Sequence, residues 1–419
     1  MRKLRVGVVG VGRGGSMMKY CNTADNAELV AVCDNWVEGL RKKEKELQGS
    51  GITFYTSFDE FLEHPGMDAV VLANYANEHV PFALRVLEKG MHVLSEVLPC
   101  QNMKEAVQLV EAVERTGLKY CYLENACYFP GVMEMKKLYR QGMLGDFEYG
   151  EGEYCHNCEP QWPKLTHGDP DHWRNNHYAT FYCTHSLGPL IHISGLRPVS
   201  VTGFELPNWP RMREMGRQQG LAGIEMVTLE NGAILKSLHG ELYRHSLWYS
   251  IYGSKGRMET AREDAEMGHS SRVYVNVNKT AGVYDDETDH ININYLPKDN
   301  FSAKAKKFSH GGADFYCMWN AVEHILGNEQ ADAIDVYEAL DSFLPGLFAL
   351  FSLNDGGTPK QVPDLRDPAQ RELYRNDTRC CDPKVAGDML MPLHAGNPEP
   401  IPAEVYERLQ KKWQEIAPK

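Results

Sequence analysis

Three glycines near the start of the chain are spaced for phosphate chemistry. Gly10, Gly12 and Gly15 stand in the stretch Gly10-Val11-Gly12-Arg13-Gly14-Gly15, directly after the short, mostly β-branched run Leu4-Arg5-Val6-Gly7-Val8-Val9. A glycine loop between a strand and a helix suits a dinucleotide: the first glycine allows a tight turn, the second lets backbone reach the pyrophosphate, and the third lets helix and strand pack closely. The phosphates then rest on the helix N-terminus. Asp34 ends a second apolar run, Leu29-Val30-Ala31-Val32-Cys33, 19 residues beyond Gly15, which is close to the spacing at which an acid meets the adenosine ribose. Its carboxylate would accept hydrogen bonds from both ribose hydroxyls and repel a 2′-phosphate, so the pattern points to NAD over NADP. Gly14 completes the loop, and Arg13 within it could cover an adenine face or a phosphate.

The elements that must hold this loop are legible in the alternation that follows. Ala69 to Ala73 reads as a buried strand, Val80 to Glu88 as a helix, His92 to Leu94 as a strand and Met103 to Glu114 as a helix. Strands alternating with helices imply a parallel sheet. Beyond Glu124 the texture changes to antiparallel-looking segments at Phe147 to Tyr154, Ser200 to Phe204, Glu225 to Leu229, Ala233 to Leu238 and Trp248 to Tyr252. The expected fold is therefore α/β: a doubly wound parallel Rossmann sheet, followed by an α/β domain on an open, largely antiparallel sheet. The expected division is 1–125 for NAD, 126–353 for substrate and self-association, and 354–419 as an extension with a last helix at Ala403 to Ile416. The polar stretch from Arg262 to Lys307 is too long for an ordinary connection and reads as a functional flap or an excursion.

Composition narrows the function. A net charge of −13 over 419 residues argues against a nucleic-acid partner, which requires basic patches, and favours a small neutral substrate. The charged run Arg41 to Glu46 reads as the solvated face of a helix. No run approaches 18 consecutive apolar residues and no signal-peptide pattern opens the chain, so a membrane partner is not expected. The 11 cysteines are odd in number and scattered, and Cys155 and Cys158 form a lone CxxC. That pattern fits a reducing cytoplasm better than a disulfide framework or a zinc site.

Residues Gly10 to Gly15, Asp34, the stretch Gly90 to Glu96 and His310-Gly311-Gly312-Ala313-Asp314 resemble the Gfo/Idh/MocA oxidoreductases. Many members carry a Glu-Lys-Pro tripeptide whose lysine assists oxidation of a sugar hydroxyl. This chain reads Glu96-Val97-Leu98-Pro99, with Val97 in the lysine position. Within the family it is most similar to glycoside hydrolase family 109, through that Glu-Val variant, Glu124-Asn125-Ala126-Cys127-Tyr128, Gly152-Glu153-Tyr154, Trp173-Arg174 and Tyr182-Cys183-Thr184-His185. The resemblance implies a redox-neutral glycosidase. NAD⁺ oxidises C3, C2 loses a proton, the aglycone leaves C1, water adds and C3 is reduced again. It places His79, Glu96, Val97 and Asn125 at the cofactor, and Glu124, Tyr154, Arg174, Tyr182 and His185 at the sugar; His177, close after Trp173-Arg174, is a further substrate-contact candidate. It also implies a homo-oligomer. Ala76 replaces a usual tryptophan, Cys183 a usual proline, and the stretch from Arg174 to Tyr182 is short, so the substrate class extends to glycosides and free sugars generally.

The chemistry is consistent with the residue types. A tyrosine or histidine near a cation can remove a proton next to a carbonyl, which assigns the C2 base to Tyr154, with His156 in reserve on the same strand face. His185 follows Tyr182 by three residues, which puts both on one face if a helix starts there. It takes the acid/base role at the C3 hydroxyl. The group His167, Asp169, Asp171, His172, His177 and His185 invites a metal reading, but no HxxxH pair is present, and a hydrogen-bonding set for a sugar is preferred, with no metal. Asp314 reads as a helix N-cap. The rival functions are a net sugar C3 dehydrogenase and a non-catalytic NAD-binding sensor.

Overall fold

The computed structural model describes residues 2–263, 271–279, 290–394, 396 and 399–416. It divides into two units that are not consecutive in sequence. The first comprises Met1–Phe129, Lys298–Leu340 and Leu365–Asn376; the second comprises Pro130–Pro297, Asp341–Asp364 and Asp377–Lys419. The division expected from sequence, 1–125, 126–353 and 354–419, is corrected accordingly. The chain returns twice to its first unit, and those returns rest on contacts between residues hundreds of positions apart.

In the first unit, β1 (Leu4–Val9), β2 (Ala27–Cys33), β3 (Thr53–Tyr55), β4 (Ala69–Leu72), β5 (His92–Ser95) and β6 (Tyr120–Tyr122) form one sheet in the order β3-β2-β1-β4-β5-β6. Every pairing is parallel. Val6, Val8, Val9 and the whole of β4 are buried, as expected of strands covered on both faces. The order reverses between β1 and β4, and a crevice at the carboxyl ends of the strands there is where such sheets bind ligands. Gly10 and Asp34 directly follow β1 and β2, whose last residues pair as Val9 with Cys33. The helix Val37–Glu46 carries the charged run outward. Met103–Thr116 is capped by Asn102, whose side chain accepts from the Glu105 N–H at 2.9 Å, and ends at Gly117 with φ 64°.

The returning segments complete this unit. Helix Ala313–Ile325 packs on the helix Gly15–Thr23, with the Tyr20 and Phe315 rings 5.6 Å apart. The Tyr122 N–H donates to the Ile334 carbonyl at 2.9 Å. Beyond it, Arg375 grips Glu111 through two hydrogen bonds of 2.8 and 2.9 Å.

In the second unit, β7 (Phe147–Cys155), β8 (Pro198–Glu205), β9 (Ala222–Leu229), β10 (Ile234–Gly240), β11 (Ser246–Gly253), β12 (Gly256–Thr260), β13 (Val273–Asn278), β14 (His290–Tyr295) and β15 (Lys360–Gln361) form one sheet. Its order is β14-β13-β12-β11-β7-β10-β9-β8-β15. All pairings are antiparallel except β10 beside β7. Helix Thr184–Ser194 lies against β7 and β10, where the Ser186 and Ser237 hydroxyls meet at 2.8 Å. The stretch expected to be a flap contributes β13 and β14 to the sheet edge, while residues 264–270 and 280–289 of it lie outside the described residues. The last helix, Ala403–Ile416, buries Val405 and Leu409 against Trp162, Met212 and Met215.

Candidate functional site

The cofactor cradle is set by which glycines have room for a side chain. Gly10 has φ 97°, and a Cβ there would sit 2.4 Å from the Ala73 carbonyl oxygen. A Cβ on Gly14 would sit 2.2 Å from the Gly10 carbonyl oxygen and 2.7 Å from Val8 Cγ1. Gly12 and Gly15 face open space, with nothing within 4 Å of an added Cβ. Close helix-to-strand packing thus falls to Gly14, which corrects the expectation that Gly15 serves it. Asp34 steadies the loop, its two oxygens accepting from the Val11 and Trp36 N–H groups at 2.7 Å each. The open surface over Gly12 and Gly15, at the N-terminus of a nine-residue helix and beside a carboxylate, fits a dinucleotide pyrophosphate and ribose.

Arg13 is engaged in neither of the two ways expected. Its guanidinium donates to both oxygens of Asp314, at 2.7 and 2.9 Å, and lies 2.8 Å from Glu96 Oε1. His310 Nδ1 is 2.9 Å from Asp314, and Asn125 donates to Asp314 at 3.4 Å. Burial by itself would raise the Asp314 carboxyl, but the hydrogen bonds from His310 and Arg13, with the Arg13 charge, hold it well below the usual carboxylate range. Burial pushes Glu96 up, against the pull of Arg13. Asp314 is therefore an ion-pair partner inside the first turn of its helix; the cap position belongs to Gly312, which corrects the N-cap expectation. Val97 follows Glu96 and is half-buried. His79 is buried, its Nδ1 2.9 Å from the Leu98 carbonyl oxygen, and burial pushes it down to about 4. Glu124, expected at the sugar, belongs to the first unit, where its carboxylate accepts from the Ala126 N–H at 2.9 Å.

The remaining expected residues lie in the second unit and do converge. Gly152 has no space above it: a Cβ would sit 2.0 Å from the Ser186 carbonyl oxygen. Helix Thr184–Ser194 therefore lies close on β7, and the His185 and Tyr154 rings are 4.3 Å apart. The Tyr182 ring stacks on His185 at 5.7 Å and 23°, as their spacing predicts. Arg174 donates to the Tyr182 hydroxyl at 3.1 Å and lies 4.5 Å from the Trp173 ring centroid. The Tyr249 hydroxyl donates to the His185 carbonyl at 2.6 Å, which anchors the helix start.

Several residues of this wall were not anticipated. Arg217, only 3% exposed, donates to Glu241 at 2.5 Å, lies 3.2 Å from His177 Nε2 and sits 4.6 Å from the Trp162 ring centroid. Glu241 accepts from the Cys158 N–H at 2.6 Å, and Cys158 Sγ lies 3.2 Å from His156 Nδ1. The Tyr154, His156 and His245 rings run on from there at 5.6 and 4.8 Å. Burial pushes His156 down to about 4 and His177 well below its ordinary value, each reinforced by nearby positive charge. Nothing near Arg217 in sequence marks it; it meets His177 across 40 positions and Glu241 across 24. A buried His239–Glu225 pair, 2.8 Å apart, was missed for the same reason. The histidines read as a possible metal group diverge: His167 stacks on Trp413, and His172 accepts from the Arg174 N–H at 3.2 Å. Among the described residues no three His, Cys, Asp or Glu side chains gather as metal ligands.

Comparison with known proteins finds matches for two stretches of the chain. Residues 4–123 match the Gfo/Idh/MocA oxidoreductase family, NAD-binding Rossmann fold, and residues 215–369 match the glycosyl hydrolase 109 C-terminal domain. Glycosyl hydrolase family 109 protein 3 of Phocaeicola vulgatus is 25% identical over 416 residues, covering 87% of this chain and 74% of that protein. The glycosyl hydrolase family 109 protein of Solibacter usitatus is 23% identical over 406 residues, covering 86% and 88%. Among solved structures, scyllo-inositol dehydrogenase from Lactobacillus casei with bound NAD(H) and scyllo-inositol superposes with a TM-score of 0.66 at 19% identity, over 86% of this chain and 99% of that one. Aldose-aldose oxidoreductase from Caulobacter crescentus, complexed with glycerol, gives 0.66 at 17% identity, over 86% and 100%. These structural likenesses show the fold.

Two predictions follow from the first unit. Gly14→Ala should lower the melting temperature and weaken NAD⁺ binding, because its Cβ meets backbone 2.2 Å away, whereas Gly15→Ala should leave the cofactor-free melting temperature within a degree or two, a small effect for a helical surface site; the reverse order in a thermal melt contradicts the packing assignment. The second concerns pH. His79 ionises at about 4 when folded, against 6.5 for the free side chain, so between those values the unfolded chain takes up a proton that the folded chain refuses. Stability is undiminished above pH 6.5, falls as pH drops toward 4 and levels off below that. His79→Gln should flatten the loss between pH 7 and 5 by on the order of 2 kcal/mol, and superimposable pH–stability curves would rule the assignment out.

Proposed function

We propose that this chain, whose residues 4–123 match the Gfo/Idh/MocA NAD-binding Rossmann model and residues 215–369 the glycosyl hydrolase 109 C-terminal model, is a redox-neutral glycosidase acting through a 3-keto sugar. NAD⁺, when held by Gly10 to Gly15 and Asp34, supplies the acceptor for the C3 hydride and the donor that returns it. The observation that carries the reading is the Tyr154–His185 pair, 4.3 Å ring to ring, in a chain with Val97 where a redox lysine is expected. His185 removes the C3 hydroxyl proton during oxidation and gives it back during reduction. Tyr154, as its phenolate, takes the proton from C2, made acidic by the C3 carbonyl. The C2 electron pair forms the C1–C2 double bond as the C1–O bond to the aglycone breaks, and the departing oxygen takes a proton from solvent. Water then adds its oxygen to C1 and releases a proton to solvent, and Tyr154 returns a proton to C2. The sum is glycoside plus water giving free sugar plus aglycone. Two flanking carboxylates are not needed, because the keto group lowers the barrier without an oxocarbenium ion.

The charges around the pair support this assignment. Arg174 donates to the Tyr182 hydroxyl in the same wall. His156 and His177, both held neutral by burial, are acceptors or donors through one nitrogen at a time. A second reading, a net sugar C3 dehydrogenase, is supported by the inositol dehydrogenase among the structural neighbours. With NAD⁺-loaded protein and chromogenic glycosides, the glycosidase reading predicts many aglycones released per NADH formed. Tyr154→Phe is expected to reduce kcat by roughly 10²- to 10⁴-fold with NAD⁺ affinity unchanged. One NADH per sugar and no free aglycone would identify the dehydrogenase instead.

A further inference from the structure

Arg174 has charge and donors to spare. A guanidinium carries five N–H donors in a planar fork. Arg174 uses one on the Tyr182 hydroxyl and rests its face near the Trp173 ring, and among the described residues no carboxylate lies within ion-pair distance of it. Three acids of the same unit are committed elsewhere. Glu241 spends one oxygen on Arg217 and the other on the Cys158 N–H. Glu225 is held by His239. Glu153 points to the opposite face of β7, where it meets Ser246 and Arg262. The imidazoles nearby do not compensate and do not compete: burial, followed by the Arg174 and other local positive charges, pushes His156 to about 4, His172 to about 3 and His177 well below its ordinary value.

A half-buried arginine with an open fork, unmatched by any carboxylate, is arranged to receive two oxygens of one anion. We propose that the substrate is an anionic sugar, with a carboxylate or a sulfate ester seated on Arg174. This inference rests on the glycosidase reading for the reaction and names the substrate class. It revises the neutral substrate that the net charge of −13 favours: the chain as a whole repels anions at long range, but screening over about 10 Å leaves the local cation to decide binding. Tyr182 beneath the guanidinium fixes the orientation of the fork. Nη2 and Nε remain for the ligand.

The test uses full-length, NAD⁺-loaded protein with matched 4-nitrophenyl glycosides of gluco and galacto configuration, each as the neutral hexoside, the hexuronoside and the 6-O-sulfated hexoside. One charge-assisted bidentate contact predicts kcat/KM higher for an anionic member by roughly 10- to 100-fold. In Arg174→Gln the preference should collapse, mainly through KM, and Arg174→Lys should restore part of it. Preference for the hexuronoside identifies a carboxylate as the anion, and preference for the sulfated hexoside identifies a sulfate ester. Equal turnover of neutral and anionic glycosides overturns the proposal and leaves the glycosidase reading standing. Oxidation of the acidic sugar with one NADH and no aglycone sinks the glycosidase reading and sustains the anion preference. If no glycoside turns over, calorimetric titration of free hexuronate, sulfated hexose and hexose decides: binding no tighter for either anion overturns the proposal.

Discussion

The helix Thr184–Ser194 can lie against β7 only because position 152 has no side chain. A Cβ at Gly152 would stand 2.0 Å from the Ser186 carbonyl oxygen, closer than any real contact, so a larger residue would lift the helix from the sheet. With glycine there, the Ser186 and Ser237 hydroxyls meet, the Tyr249 hydroxyl reaches the His185 carbonyl, and His185 arrives beside Tyr154 two residues along the strand from Gly152. The spacing of Tyr154 and His185 thus depends on one missing methyl group. Interiors are packed too densely to absorb such a shift without moving what rests on them.

The same economy governs the cofactor unit. Gly14 lets the helix Gly15–Thr23 approach the loop, and Arg13, between two glycines, turns onto Asp314 and Glu96. The ion pairs of Arg13 with Asp314 and Glu96 tie the glycine loop to the helix Ala313–Ile325. In the second unit Arg217 plays the corresponding part, binding Glu241 and lying over Trp162, which the last helix packs against. Each unit thus carries an arginine paired with acids distant in sequence: Arg13, partly exposed, and Arg217, buried. Without its arginine Asp314 would keep His310 and Glu241 would keep the Cys158 N–H, but each would lose its cation.

What was legible in the sequence was local. The strand, glycine loop and Asp34 occupy 31 consecutive positions, 4–34, and hydrophobic period alone marks the helices His79–Glu88, Met103–Thr116 and Ala403–Ile416. Tyr182 and His185 could be paired because they are three residues apart across the turn that leads into the helix. Gly14 could not be told from Gly15, since the difference lies in how near Gly10 and Val8 come. Arg217, Glu241, His239 and Glu225 carry no local pattern: each gains meaning only through strand pairings that bring distant positions together. The two returns to the first unit were invisible for the same reason, and so was the Arg13–Asp314 pair, whose members are 301 positions apart.

On the proposed route a proton leaves C2 while the sugar is held as its 3-ketone. Turnover of a cleaved glycoside in D₂O, with the released sugar analysed by NMR, reads that step directly. One deuterium at C2 and protium retained at C3 are expected, because the C2 proton exchanges with solvent through Tyr154 whereas the C3 hydride is returned unexchanged. Aglycone release with protium kept at both carbons would mean direct displacement at C1 and would overturn the 3-keto route.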